Sequence, residues 1–307
     1  MTRSTANALL LLAAVIWGSG FVAQSTAMDT LDPFTFTGLR FLIAATVFAP
    51  FALFEARRDK AARQPDARSG RVAGISGAQA MLFVGIGVVF FGANIAQQIG
   101  LVTTSVTNAG FLTGLYVVIV PVLALLVFGE RPHAAVWPAS LMTLAGVWLL
   151  GGGRLDALNW GDGAVIACAL FWALHVLLLG RTGAETGRPM ALCVVQFVVV
   201  AVLGLGAGAV AGGPALSVDA LETVWFELFY TGVIDGGVAF GIQAVAQRWT
   251  RSSDAAVLLS SEALFAALFG AWLLGERLDA AAMAGCALIL TAIVLVQLAP
   301  GLRLARA

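Results

Sequence analysis

The sequence predicts an all-α membrane protein: ten transmembrane helices built as a 5+5 inverted repeat, with the N- and C-termini cytoplasmic. Three observations lead there. Of the 307 residues, 60% are hydrophobic and only 11% charged, whereas a soluble domain carries roughly 25% charged residues. The apolar residues fall into ten runs close to the roughly 20 residues that a bilayer span requires. One long stretch also recurs. A shift of 146 residues carries Gly129-Glu130-Arg131 onto Gly275-Glu276-Arg277. Walking backward from there without a gap, Leu112 meets Leu258, Ala109 meets Ala255, Thr104 meets Thr250, Gln97 meets Gln243 and Phe83 meets Phe229.

The ten runs cover 6–26, 33–54, 73–100, 104–128, 134–151, 162–181, 190–211, 225–247, 253–275 and 280–299. Helix punctuation marks most joints: Asp32-Pro33, Arg131-Pro132, Gly151-Gly152-Gly153, Arg188-Pro189 and Gly212-Gly213-Pro214. The first run follows Arg3 and precedes Ser25-Thr26-Ala27, which resembles a signal-peptide cleavage site. It is long for a signal sequence and shares the character of the runs that follow, so it reads as the first span.

Charge sets the orientation. With the N-terminus inside, cytoplasmic segments hold Arg3, the 55–71 loop (Arg57, Arg58, Lys60, Arg63, Arg68, Arg71), Arg131, Arg181, Arg188, Arg248, Arg251, Arg303 and Arg306. External loops hold only Arg154 and Arg277, and Arg40 lies inside a span. That bias obeys the positive-inside rule. Five spans is an odd number, so the second half, 153–307, enters the bilayer from the side opposite to the first, 1–152. Transporters use such inverted repeats for alternating access. Trp17 answers Trp172 and Arg40 answers Gln196, at a spacing of about 155 residues.

Trp17-Gly18-Ser19-Gly20-Phe21, Leu39-Arg40-Phe41 and the fourth run with Pro121 closing on Gly129-Glu130-Arg131 resemble an EamA-type member of the drug/metabolite transporter superfamily, as do Glu262 and Leu274-Gly275-Glu276-Arg277 in the second half. The resemblance implies a basket of ten helices around a central cavity, moving small metabolites and often exporting amino acids. One departure stands out: Ala173-Leu174-His175 replaces Gly18-Ser19-Gly20, so the two sides of the cavity should differ chemically.

Ionisable groups at mid-membrane cost roughly 2.5–3.5 kcal/mol on insertion scales and need a partner, water or a function. Glu262 and Asp235 each lie about ten residues into their spans, roughly 15 Å deep at about 1.5 Å per residue. Either could bind a substrate ammonium or exchange a proton; either could equally make an interhelical hydrogen bond. Gly236 and Gly237 could open the helix beside Asp235 and expose carbonyls. His175 shares a face with Trp172 and Cys168 and reads as a proton relay or as a neutral imidazole bonded to a neighbouring helix. Trp17, Phe21 and Gln24 form an aromatic wall with a polar end, or a packing stripe. Asn94, Gln97 and Gln98 on the third span, and Asn108 and Tyr116 on the fourth, could bind polar groups or hold helices together. Arg40 reads as structural, snorkelling outward or paired with a carboxylate. Gly204, Gly208 and Gly212, and Gly110 with Gly114, have the small-xxx-small spacing of close helix contacts.

Cys168, Cys193 and Cys286 lie singly in apolar runs, without metal or disulfide spacing. No cofactor and no metal are expected, and the zero net charge with no basic patch gives no footing for nucleic acid. The absence of a Walker A motif argues against ATP drive within the chain. Gly74-Ile75-Ser76-Gly77 fits the nucleophile motif of rhomboid proteases, with His175 as a conceivable base; four such residues arise readily by chance, and rhomboids have no inverted repeat. A channel, a lipid flippase and an exporter of nucleosides, drugs or vitamins remain as alternatives. The expected protein is therefore no enzyme, with no catalytic residues. It is a multi-pass inner-membrane exporter of small molecules, amino acids first, acting as monomer or homodimer, with protons as the candidate coupling ion. Its cavity is expected to be lined by Trp17, Gln24, Asn94, Gln97, Asn108, Tyr116, Trp172, His175, Asp235, Gln243 and Glu262.

Overall fold

A computed structural model describes residues 1–62, 75–104, 106–150, 159–211, 217–273 and 278–304. Among them there is no strand, and the helices run α1 Arg3–Ala27, α2 Pro33–Ala62, α3 Gly77–Leu101, α4 Val106–Gly114, α5 Tyr116–Phe128, α6 Val136–Leu150, α7 Trp160–Thr186, α8 Pro189–Ala211, α9 Val218–Thr223, α10 Trp225–Phe229, α11 Phe240–Ala246, α12 Ser252–Leu259, α13 Glu262–Leu273 and α14 Ala280–Leu304. Nine segments of the described residues are long and apolar enough to cross a membrane, and α6 is a shorter tenth. At 15 residues, α6 rises about 22 Å at 1.5 Å per residue, less than the expected 134–151 run. The Gly151-Gly152-Gly153 and Gly212-Gly213-Pro214 joints, and the Gly275-Glu276-Arg277 copy, fall outside the described residues.

Three spans depart from a single regular α-helix. The fourth breaks at Leu115 between α4 and α5, and the ninth breaks at Ser260-Ser261 between α12 and α13. Residue 115 shifted by 146 is 261, so the two breaks are repeat-related. Tyr116 and Glu262, themselves equivalent, each begin the second piece. The eighth span joins α10 to α11 through a ten-residue π-helix, Tyr230–Ala239. The helix around Gly236 and Gly237 is thus widened rather than unwound.

Helix packing follows the repeat. α2 packs on α8 and α6 on α14; α3 packs on α7 as the eighth span packs on α1, and α5 packs on α7 as α12 and α13 pack on α1. Exchanging the two halves maps each pairing onto another or onto itself. The α2–α8 crossing is close because both helices present glycine: a methyl on Gly38 would lie 2.6 Å from the Leu205 nitrogen, and one on Gly204 would lie 2.8 Å from the Gly38 Cα. The Gly204 and Gly208 contacts are therefore made within the chain. Gly110 and Gly114 make no such contact. A methyl on Gly110 would meet nothing within 4 Å, and one on Gly114 would touch Val147 at an ordinary 3.5 Å.

Local signals terminate the helices. Gly129, at φ 66°, ends α5 in the left-handed region, and Glu130 N donates to Ala124 O at 2.9 Å, so the glycine of the Gly-Glu-Arg motif is a C-cap. Ser76 is an N-cap: its hydroxyl accepts from Gln79 N at 3.2 Å, and Gln79 Oε1 accepts from Ser76 N at 3.1 Å. That capping box accounts for Ser76 without nucleophilic chemistry.

Candidate functional site

The central cavity lies where the first, second, third, fourth, sixth, eighth and ninth spans converge, and its lining is largely duplicated. Trp17 and Phe21 on α1 correspond to Trp172 and Val176 on α7, each pair 155 residues apart. On the 146-residue register Asn94 corresponds to Phe240, Gln97 to Gln243, Thr113 to Leu259 and Tyr116 to Glu262. All six pairs line the cavity, which therefore sits on the axis that relates the halves. Only Gln24, Arg40 and Asp235 lack a counterpart in the wall.

Aromatic rings form one wall. Phe240 lies between the two tryptophans, with its centroid 4.8 Å from Trp17 and 5.7 Å from Trp172, the latter nearly parallel at 9°. The Trp17 indole donates to Asp235 O at 3.1 Å, across to the widened turn of the eighth span. A carbonyl in that turn serves as acceptor because the π-helix rearranges the usual ladder.

Beside this wall lies a buried charge pair. Arg40, 2% exposed, places Nη1 3.7 Å from Asp235 Oδ2, and its Nη2 donates to Asn94 Oδ1 at 2.6 Å. The guanidinium also lies over the Phe41 ring at 4.9 Å. Arg40 Nε and Nη1 and Asp235 Oδ1 have no hydrogen-bond partner among the described residues. Buried charges are normally both paired and hydrogen-bonded, so these atoms keep capacity for water or ligand. Gly20 makes the pair possible, because any side chain there would run into Asp235 Oδ1. Gly18 likewise lets α1 approach the start of α13, a methyl there lying 2.7 Å from Glu262 O.

The cavity brings together nine of the eleven expected residues: Trp17, Gln24, Asn94, Gln97, Tyr116, Trp172, Asp235, Gln243 and Glu262. His175 stands outside it. Its ring stacks on Phe90 at 4.7 Å, and its Nε2 shares a 2.7 Å hydrogen bond with Gln196 Oε1. It occupies the place equivalent to Gly20, and Gln196 the place equivalent to Arg40. One side thus carries a charged pair and the other a neutral His–Gln pair. The Asn108 side chain lies outside the described residues. Gln98 turns away and donates to Met28 Sδ at 3.4 Å. Arg40 faces the cavity instead of snorkelling, and Phe240, Thr113, Val176 and Leu259 complete the wall. The 146-residue shift could have found Phe240 from Asn94, and the 155-residue spacing Val176 from Phe21. Among the described residues, no group of three or more His, Cys, Asp or Glu could hold a metal ion.

The family model for EamA-like transporters matches residues 4–152 and again 159–298. The chain belongs to the EamA-like transporter family. An uncharacterized transporter of Archaeoglobus fulgidus is 31% identical over 296 residues, covering 96% of this chain and 87% of the relative. A solved crystal structure superposes with a TM-score of 0.77 at 21% identity, over 97% of this chain and 98% of the other, and shares the fold. This EamA-family protein is thus a multi-pass membrane transporter with a cavity on its internal two-fold.

Proposed function

We propose that this EamA-family transporter exports amino acids and similar small zwitterionic metabolites across the inner membrane, with both termini cytoplasmic, by alternating access of two inverted halves, 1–152 and 153–307. The observation that carries this reading is the cavity's combination of one guanidinium, two carboxylates and two tryptophans on the internal axis. The Nε and Nη1 of Arg40, which lack a hydrogen-bond acceptor among the described residues, suit a substrate carboxylate. Glu262 suits an ammonium, and the Trp17–Phe240–Trp172 wall suits an apolar or aromatic side chain. The cavity's water-occupiable space of about 40 Å³ holds only about three waters at 10–15 Å³ each, so substrate enters only as the walls move apart. Asp235 and Glu262 are the candidates for proton coupling.

Counterflow into proteoliposomes with a panel of labelled amino acids, with and without a pH gradient, tests the reading. Saturable, stereoselective exchange supports it. Exchange that ignores the gradient, unchanged in Glu262→Gln and Asp235→Asn, removes proton coupling. No exchange of any amino acid removes the substrate class.

A further inference from the structure

Two polar clasps lie away from the cavity, between repeat-related helices and at opposite ends of the molecule. At one end the start of α1 is tied to the approach to α12. Thr250 Oγ1 donates to Asn7 Oδ1 at 2.8 Å, Asn7 Nδ2 donates to Gln297 Oε1 of α14 at 3.3 Å, and Arg3 Nη2 donates to Asp254 Oδ2 at 2.7 Å. Asp254 is buried and Arg3 only partly so, with side chains 3% and 38% exposed. At the other end the start of α7 is tied to the approach to α4. Thr104 Oγ1 donates to Asn159 Oδ1 at 3.3 Å, Asn159 Nδ2 donates to Thr103 O at 3.2 Å, and Asn159 N donates to Asp162 Oδ2 at 2.8 Å.

Thr104 and Thr250 differ by 146 and occupy equivalent places. Their partners, Asn159 and Asn7, sit at the starts of α7 and α1 but not at equivalent positions; Asp162, the counterpart of Asn7, bonds within its own helix start. The clasps join corresponding helices, α1 to the ninth span and α7 to the fourth. Between the cavity and the first clasp, Gln243 Nε2 donates to Gln247 Oε1 at 3.2 Å, and Gln247 Nε2 donates back to Val176 O on the cavity wall.

We propose that these clasps are the two gates of the transport cycle and that both are shut in this conformation, an inference that rests on the alternating-access reading above. Each opens by separating α1 from α12, or α7 from α4, and the cavity is narrow because neither has opened. Among the described residues the gates differ in kind: the Arg3 end is held by an ion pair plus neutral bonds, the Asn159 end by neutral bonds. Opening the first requires breaking a partly buried charge pair.

The test is thiol labelling from each side. Val176→Cys, on the cavity wall, is placed in a background with Cys168, Cys193 and Cys286 changed to alanine, in vesicles of known sidedness, and exposed to a membrane-impermeant maleimide. Arg3→Ala and Asp254→Asn should each raise labelling several-fold from the Arg3 side only. The double variant should exceed neither single one, because both break one bond. Asn159→Ala should raise labelling from the opposite side only. Thr250→Val, which loses no charge and little volume, repeats the first test where a charge variant folds poorly. Unchanged labelling in all variants, or an equal rise from both sides, would overturn the proposal. Labelling needs no substrate, so its failure leaves the counterflow result standing, and absent counterflow leaves the labelling result standing.

Discussion

Removing the carboxylate of Asp235 should destabilise the fold more than any other single change in the cavity. The Asp235→Asn variant keeps shape and leaves Arg40 buried at 2% exposure with no counter-charge. At the observed 3.7 Å and an effective dielectric of about 20, the lost attraction is about 332/(20 × 3.7), or 4.5 kcal/mol. That lies within the roughly 3–5 kcal/mol lost when one partner of a buried pair is removed. Replacing both partners, Arg40→Gln with Asp235→Asn, leaves two neutral amides and should cost much less than the two single changes summed. The assay is a double-mutant cycle on unfolding free energy in mixed detergent and SDS micelles. A coupling energy below about 0.5 kcal/mol, the scatter expected of independent sites, would refute the idea that the two groups interact.

Three further outcomes follow from the geometry. His175→Leu should lower stability, because Gln196 loses its 2.7 Å partner, yet leave the pH dependence of transport unchanged; a shifted pH profile would restore His175 as a relay. Gly38→Leu should destabilise by at least the roughly 1–3 kcal/mol of core overpacking, because its Cβ would lie 2.6 Å from the Leu205 nitrogen, read as a lower SDS midpoint. Ser76→Ala should cost about 1 kcal/mol through loss of its cap with transport unchanged, and a variant that lost proteolysis of a membrane substrate would revive the protease reading.

Much of this was legible because duplication writes the same constraint twice. Gln97 against Gln243 and Trp17 against Trp172 could be matched by identity, and each pair faces the cavity. Asn94 against Phe240 and Thr113 against Leu259 obey the same registers, but their chemistry diverged, which hid Phe240, Thr113 and Leu259. Of the two places open to Arg40, the lipid edge and a carboxylate partner, the structure shows the second; spacing alone cannot choose between them, because the Gly20 vacancy that admits Asp235 appears only when α1 meets the eighth span. The break at Leu115 falls in strongly apolar sequence, where hydropathy has no signal to give; the Ser260-Ser261 break and the Tyr230–Ala239 π-helix fall in the two least apolar spans, where Ser, Gly and Asp mark irregularity without saying which kind. His175 was misplaced for a related reason. It shares a face with Trp172, as its spacing implies, but its ring packs against Phe90 and Trp172 and does not line the cavity.

A chamber on a two-fold axis offers equivalent places to both ends of whatever enters it, so only unlike chemistry at those places can tell a molecule's head from its tail. Trp17 against Trp172 and Gln97 against Gln243 repeat the same group and are blind to orientation. Tyr116 against Glu262, Asn94 against Phe240 and Thr113 against Leu259 are not, and Arg40, Asp235 and Gln24 have no counterpart in the wall. On the proposed reading, a visitor with a positive and a negative end would have one preferred way to lie, set by the places where the two copies have drifted apart.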